Sequence, residues 1–234
     1  MWSLILKKII LIFCLFFMPC ISFAQNLQLI EENSIQTRIN ECAYGILNSN
    51  KINKRIIFTY NSEEKKKALK ADSKLTKREV IIYKDAYKSL ETPDELAAYL
   101  SREISYALRS FDGMARGFLR SLQVSAAPKK YEIASDKRAV DYMVNSGYNP
   151  LGLIVHLQKT VPQKRYDMIS THNLTSKRLA IIYEYIYTKY PYYLKYNEYF
   201  ENPYYQNFLL TSFLNRKLLE EKVLSGSKES LRYD

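Results

Sequence analysis

Beyond residue 28 the apolar positions recur at three and four residues: Leu29, Ile30, Ile35, Ile39, Cys42, Ala43, Ile46 and Leu47. That spacing lines one side of a helix and predicts an amphipathic helix over residues 28–48. The pattern then changes. Residues 55–60 read RIIFTY and residues 79–83 read EVIIY, β-branched and aromatic runs that each predict a short strand. The highly charged residues 61–77 between them predict a loop or exposed turn. Thr92-Pro93-Asp94-Glu95 combines a capping threonine, a proline fit for the first helical position and two first-turn acids. It predicts a helix from Pro93 to Ser110 with Leu96, Tyr99, Leu100, Ile104, Ala107 and Leu108 apolar. Glycines, a proline and small residues break the pattern over 111–130. A further helix runs from Tyr131 to Asn145 and ends at Gly147-Tyr148-Asn149-Pro150, where glycine suits a left-handed cap and proline starts the next element. A short helix over 151–160, a helix over Leu174–Tyr190 and a last one over Tyr205–Leu224 follow, with the final ten residues frayed. The expectation is an α+β fold, mostly helical with a small sheet.

The first residues follow a different rule. Lys7 and Lys8 precede an apolar run from Ile9 to Met18, and a short polar stretch ends in Ser22-Phe23-Ala24. Charge, apolar run and small-x-small site, in that order, read as a secretory signal peptide over residues 1–24. The run is shorter than the roughly 20 residues that span a bilayer, so an uncleaved anchor is the lesser reading. Phe17, Met18 and Pro19 before Cys20 do not suit lipoprotein processing. The expected location is the periplasm or the exterior.

Cleavage there leaves Cys42 as the one cysteine, so no internal disulfide forms and the thiol serves as a small buried apolar group. Only six glycines argue against an all-β fold with many tight turns. The formal charge of +11 falls to +9 on removal of Lys7 and Lys8. Positive residues are scattered rather than blocked, which argues against nucleic acid as a partner and leaves an anionic membrane surface as one the charge allows.

Three stretches, taken in order, carry a family resemblance. Residues 91–110 read ETPDELAAYLSREISYALRS, residues 131–150 read YEIASDKRAVDYMVNSGYNP, and residues 170–179 read STHNLTSKRL. Together with the VIIY strand they resemble the M48 family of zinc metallopeptidases over roughly Arg55 to Ile182. The resemblance implies a zincin-like peptidase domain over residues 25–190, followed by a tyrosine-rich helical extension over 191–234. It also implies an envelope setting in which active members serve protein quality control.

Active members carry His-Glu-x-x-His on the first helix. Its two imidazoles hold zinc from one face, and its glutamate takes a proton from the zinc-bound water. Here the matching residues are Arg102-Glu103-Ile104-Ser105-Tyr106. Glu103 keeps the general-base position, while Arg102 and Tyr106 replace the histidines. Arginine has only donors and a fixed positive charge, and a phenol near pKa 10 is a poor ligand at neutral pH. Glu132 matches the third zinc ligand and Asp136 the acid behind the ligands. His172 and Arg178 match the later segment, in which Asn173 replaces a proline. No bound metal or other cofactor is therefore expected, although active relatives use zinc. Arg102 is expected to pair with Glu132 where zinc would sit. A replacement metal site from Glu103, Glu132, Asp136 and His172 is the lesser alternative.

The remaining features have plainer readings. His156 sits in the apolar run LGLIVHLQ and reads as a packed or partly exposed helix residue. Asn173-Leu174-Thr175 matches a glycosylation pattern that is common by chance. The run YEYIYTKYPYYLKYNEYFENPYY over 183–205 offers rings for packing and for docking in about equal measure. The functional expectation is an exported, non-catalytic peptidase-like protein that binds a peptide or envelope protein, or acts as a scaffold. The alternatives are a peptidase with a non-standard metal site and a cationic module that binds an envelope surface.

Overall fold

The computed structural model describes residues 29–63, 72–74, 79–109, 128–161 and 174–233. The described residues open with helix α1 (residues 29–49). Strands β1 (Ile57–Asn61), β2 (Asp72–Lys74) and β3 (Glu79–Tyr83) follow, then a short helix α2 (Lys84–Lys88). Helices α3 (Pro93–Arg109), α4 (Pro128–Asn145), α5 (Leu151–Thr160) and α6 (Thr175–Lys189) form the main helical body. The one-turn α7 (Tyr192–Lys195), α8 (Pro203–Thr211) and α9 (Phe213–Ser225) complete the described chain. This is an α+β fold, mostly helical with a small sheet.

The sheet order is β1-β3-β2. β1 and β3 are parallel, with Thr59 opposite Ile81, and β2 joins β3 antiparallel, with Ser73 opposite Val80. β2 lies inside the charged stretch expected to be a loop, so the third strand falls where the periodicity gave no sign of one. Its three residues Asp-Ser-Lys carry no β pattern, and main-chain pairing to β3 alone makes them a strand. The outer edge of β1 is covered by Gln36 of α1. Its side-chain amide donates to the Phe58 carbonyl at 2.9 Å and accepts from the Tyr60 N–H at 2.6 Å. That amide does what another strand would do, and it occupies an edge that would otherwise be open to pairing.

α3 is the central helix. Thr92 caps it, its hydroxyl accepting from the Glu95 N–H at 3.2 Å. Ala97, Ala98, Leu100, Ile104 and Ala107 bury its apolar side. α4 lies against one flank and α5 against another. Ser101 and Ser105 on α3 and Ser135 and Ala139 on α4 are fully buried, and side chains this small let two helix backbones approach closely. The first turn of α3 is fixed by Asp94, which accepts from the Asn149 N–H at 3.0 Å and from the Tyr199 hydroxyl at 2.8 Å. Gly152 abuts that same residue: an added Cβ would stand 2.7 Å from the Asp94 Cβ and 3.1 Å from its carbonyl carbon. Since Asp94 is held by two hydrogen bonds, Gly152→Ala should cost about 1–3 kcal/mol, read as a lower urea midpoint. An unchanged midpoint would mean that α5 shifts freely.

The core is one cluster that runs from Ile39 through the sheet and the helical body to Tyr199, Tyr205 and Phe208. The chain beyond residue 190 thus contributes to the same core as the rest. The single last helix expected over 205–224 is two helices with a break at Ser212. The Ser212 hydroxyl donates back to the Phe208 carbonyl at 2.6 Å and accepts from the Arg216 guanidinium at 3.2 Å. Such back-bonding from serine bends helices. The tail expected to fray is exposed and irregular over residues 227–230, but its end is docked. Tyr233 is buried, and its hydroxyl donates to Glu184 at 3.0 Å. Among the described residues no helix is long and apolar enough to cross a membrane.

Candidate functional site

α3 and α4 run side by side, and α6 packs against α4. This brings Arg102, Asp136, Glu132 and Arg178 to one place, each of them buried. Arg102 Nε donates to Asp136 Oδ1 at 2.9 Å. Arg178 donates to the same carboxylate twice, Nε to Oδ2 at 2.8 Å and Nη2 to Oδ1 at 2.9 Å. Its remaining terminal nitrogen lies 3.0 Å from Glu132 Oε1. Glu132 and Asp136 are one turn apart on α4, so a single guanidinium reaches both.

The expectation that Arg102 would pair with Glu132 is corrected here. Arg102 meets Asp136, one turn further along α4, and Glu132 meets Arg178. Arg178, which the sequence reading already set among the site residues, is the one that ties the group together. Its signal was its place in the stretch STHNLTSKRL.

The electrostatics keep Arg102 charged. Burial pulls its pKa down, but Asp136, Tyr106 and Glu103 together raise it further than burial lowers it. The Arg102 guanidinium also lies 5.9 Å from the centre of the Tyr106 ring, a cation–π distance. Burial pushes the Tyr106 phenol up, against the opposing pull of Arg102. Tyr106 is therefore a neutral phenol at physiological pH. Glu103 is buried on the same helix, and its charge acts on both Tyr99 and Arg102.

These residues do not fit a zinc ion. Arg102 and Tyr106, which the resemblance sets at two ligand positions, are a cation and a neutral phenol. The carboxylates of Glu132 and Asp136 are engaged by guanidinium groups, which would repel a divalent cation. Among the described residues no group of three or more histidines, cysteines, aspartates or glutamates is arranged to hold a metal. His172 and Asn173 lie outside the described residues, whereas residues 174–179 of the same segment are described.

One neighbour was read only as packing. His156 on α5 is 2% exposed and meets the Tyr99 ring edge-on at 5.7 Å. Burial, followed by the charges of Arg102, Arg178 and Lys159, holds its pKa down to about 3. Among the described residues its Nδ1 has no hydrogen-bond partner, and neither do the buried hydroxyls of Tyr99, Ser101, Ser105 and Ser135. A polar layer thus surrounds the ion cluster on α3, α4 and α5. The sequence signal for it was a lone histidine in the otherwise apolar face of a short helix.

A separate cavity of about 350 Å³ opens beside the first turn of α3, lined in part by Arg38, Glu41, Tyr87, Pro93 and Tyr148. Cys42 forms part of its wall, buried as expected. Burial pushes its thiol up to about 11, against the bond from Tyr148, so it is a protonated thiol and a weak nucleophile near neutral pH.

Of the tyrosines past residue 182, Tyr199 and Tyr205 are in the core, whereas Tyr192 and Tyr196 are exposed with their rings 4.9 Å apart. Tyr185 and Tyr190 both donate to Asp141 of α4. The division between packing and exposure expected of this run is what the fold shows. No family model, no curated protein and no solved structure matches this chain.

Proposed function

We propose that this chain is an exported, non-catalytic relative of the M48 zinc peptidases, in which an arginine clasp stands where the metal centre would be. The observation that carries the reading is the convergence of Arg102 and Arg178 on Asp136, with Glu132 held by the same Arg178. In a zinc peptidase a dication neutralises the acids between the two helices. Here two guanidinium groups supply the positive charge through hydrogen bonds. The helices stay together, but no open coordination position is left to activate water.

Glu103 alone does not make a hydrolase. A general base contributes about 10²–10⁴-fold, and peptide cleavage also needs a Lewis acid or a nucleophile. The role that remains is to bind a peptide or an envelope protein, or to scaffold one, in the setting of envelope quality control.

Zinc content of purified residues 25–234, measured by elemental analysis without chelator, is expected below about a tenth of an equivalent, since the ligand set that gives zinc its affinity is missing. Hydrolysis of unfolded casein is expected to be no faster than for Glu103→Gln. A full equivalent of zinc that Glu132→Ala removes, with casein cleavage that Glu103→Gln abolishes, would reverse the reading in favour of an active metallopeptidase.

A further inference from the structure

We propose that the chain forms a twofold-symmetric dimer through the outer face of α9. This inference does not depend on the peptidase reading. The end of α8 and the whole of α9 expose large apolar side chains: Leu210 is 77%, Phe213 61%, Leu214 73% and Leu224 87% exposed, with Leu218 also open. Large apolar side chains left this exposed on one helix point to an interaction surface.

The opposite side of α9 is fixed to the body. Leu219 is buried. Lys222 Nζ lies 2.9 Å from Glu184 of α6, and the Arg216 guanidinium lies 5.9 Å from the Tyr183 ring. The tail returns on that same side, since Tyr233 also bonds Glu184. Nothing among the described residues covers the outer face.

The layout of that face selects the partner. Each residue turns a helix by about 100°, so the point facing away from Leu219 at its own level lies midway between Lys217 and Glu221. These two side chains are exposed and 3.9 Å apart. A twofold axis through that midpoint, with the helices antiparallel, sets Lys217 against Glu221 of the second copy and Leu214 against Leu224 of the second copy. Symmetry repeats both contacts. One sequence thus supplies both halves of each ion pair and of each leucine pair, the self-complementarity that a closed dimer requires. A helix made for an anionic lipid surface would carry mainly basic residues beside its apolar strip. Here Glu220 and Glu221 sit within it.

The test uses residues 25–234, since the core begins at Ile39. Light scattering after size exclusion at about 100 µM, a range that detects micromolar dimers, should give twice the chain mass. Leu214→Glu with Leu224→Glu should give a monomer of unchanged circular dichroism, because both side chains are already exposed. Lys217→Glu should weaken the dimer about tenfold by opposing like charges, and adding Glu221→Lys should restore it. A monomer at that concentration would overturn the proposal, as would a dimer that survives the paired leucine changes. A monomer that co-sediments with phosphatidylcholine–phosphatidylglycerol vesicles through Leu214 would assign the face to lipid and overturn it as well.

Discussion

Arg178→Met should be the most damaging single change at the arginine clasp. Arg178 makes two hydrogen bonds to Asp136 and an ion pair to Glu132, whereas Arg102 makes one bond to Asp136. Methionine keeps the apolar stem and removes the charge. It leaves Asp136 with the single bond from Arg102 and takes from Glu132 the guanidinium that stood 3.0 Å away. Breaking a buried ion pair from one side costs about 3–5 kcal/mol, because the partner's desolvation is no longer offset. For a chain of this size that lowers the melting temperature by about 10–15 °C. Arg102→Met should cost less. Thermal melts followed by circular dichroism rank the two, and an Arg178→Met protein that melts with the wild type would show that the clasp does not hold α4 to α6.

Acid should destabilise the protein through His156. The unfolded imidazole takes up a proton near pH 6.5, while the folded one resists until about pH 3, through burial and then the charges of Arg102, Arg178 and Lys159. Between those values the unfolded state binds the extra proton, so stability falls as pH falls below 6.5. The slope is about 1.4 kcal/mol per pH unit, which makes a loss of about 3 kcal/mol by pH 4.5. His156→Met fills the pocket with a flexible apolar side chain and removes the titration. The wild type should lose about 3 kcal/mol more than the variant between pH 7 and pH 4.5 in urea unfolding. Carboxylates titrate in both proteins, so the difference isolates His156. Equal losses would mean that the fold opens to let the imidazole charge.

The two expectations concern one polar layer at the heart of a helical body. Its acids sit on α4 and its cations on α3 and α6, so each helix is incomplete without the others. The resemblance to zinc peptidases supplied the reason to look at these residues together. Their buried hydrogen bonds make them act as a unit, whatever family the chain descends from.

The helices were legible because each carries its own evidence. Thr92 and Pro93 fix the start of α3, a period of three and four residues marks its buried side, and Gly147 takes the left-handed turn that ends α4. β3 was legible for the same reason, as a β-branched run bounded on both sides. β2 was not, because Asp-Ser-Lys becomes a strand only by bonding to β3. The break at Ser212 and the docking of Tyr233 were equally hidden. One depends on a hydroxyl that bonds its own helix, the other on Glu184 being forty-nine residues away in sequence and 3.0 Å away in space.

At the candidate site the sequence by itself determined the inventory: Arg102, Glu103, Tyr106, Glu132, Asp136 and Arg178, with no histidine at positions 102 and 106. Those are matters of residue type and helical spacing, which local sequence contains. Tertiary structure alone decided the pairing. It set Arg102 on Asp136 rather than Glu132, made Arg178 the link between two acids, and brought His156 to the cluster from another helix. The rotation and register of one helix against its neighbour determine which charges meet, and those follow from how the whole core packs rather than from any one segment.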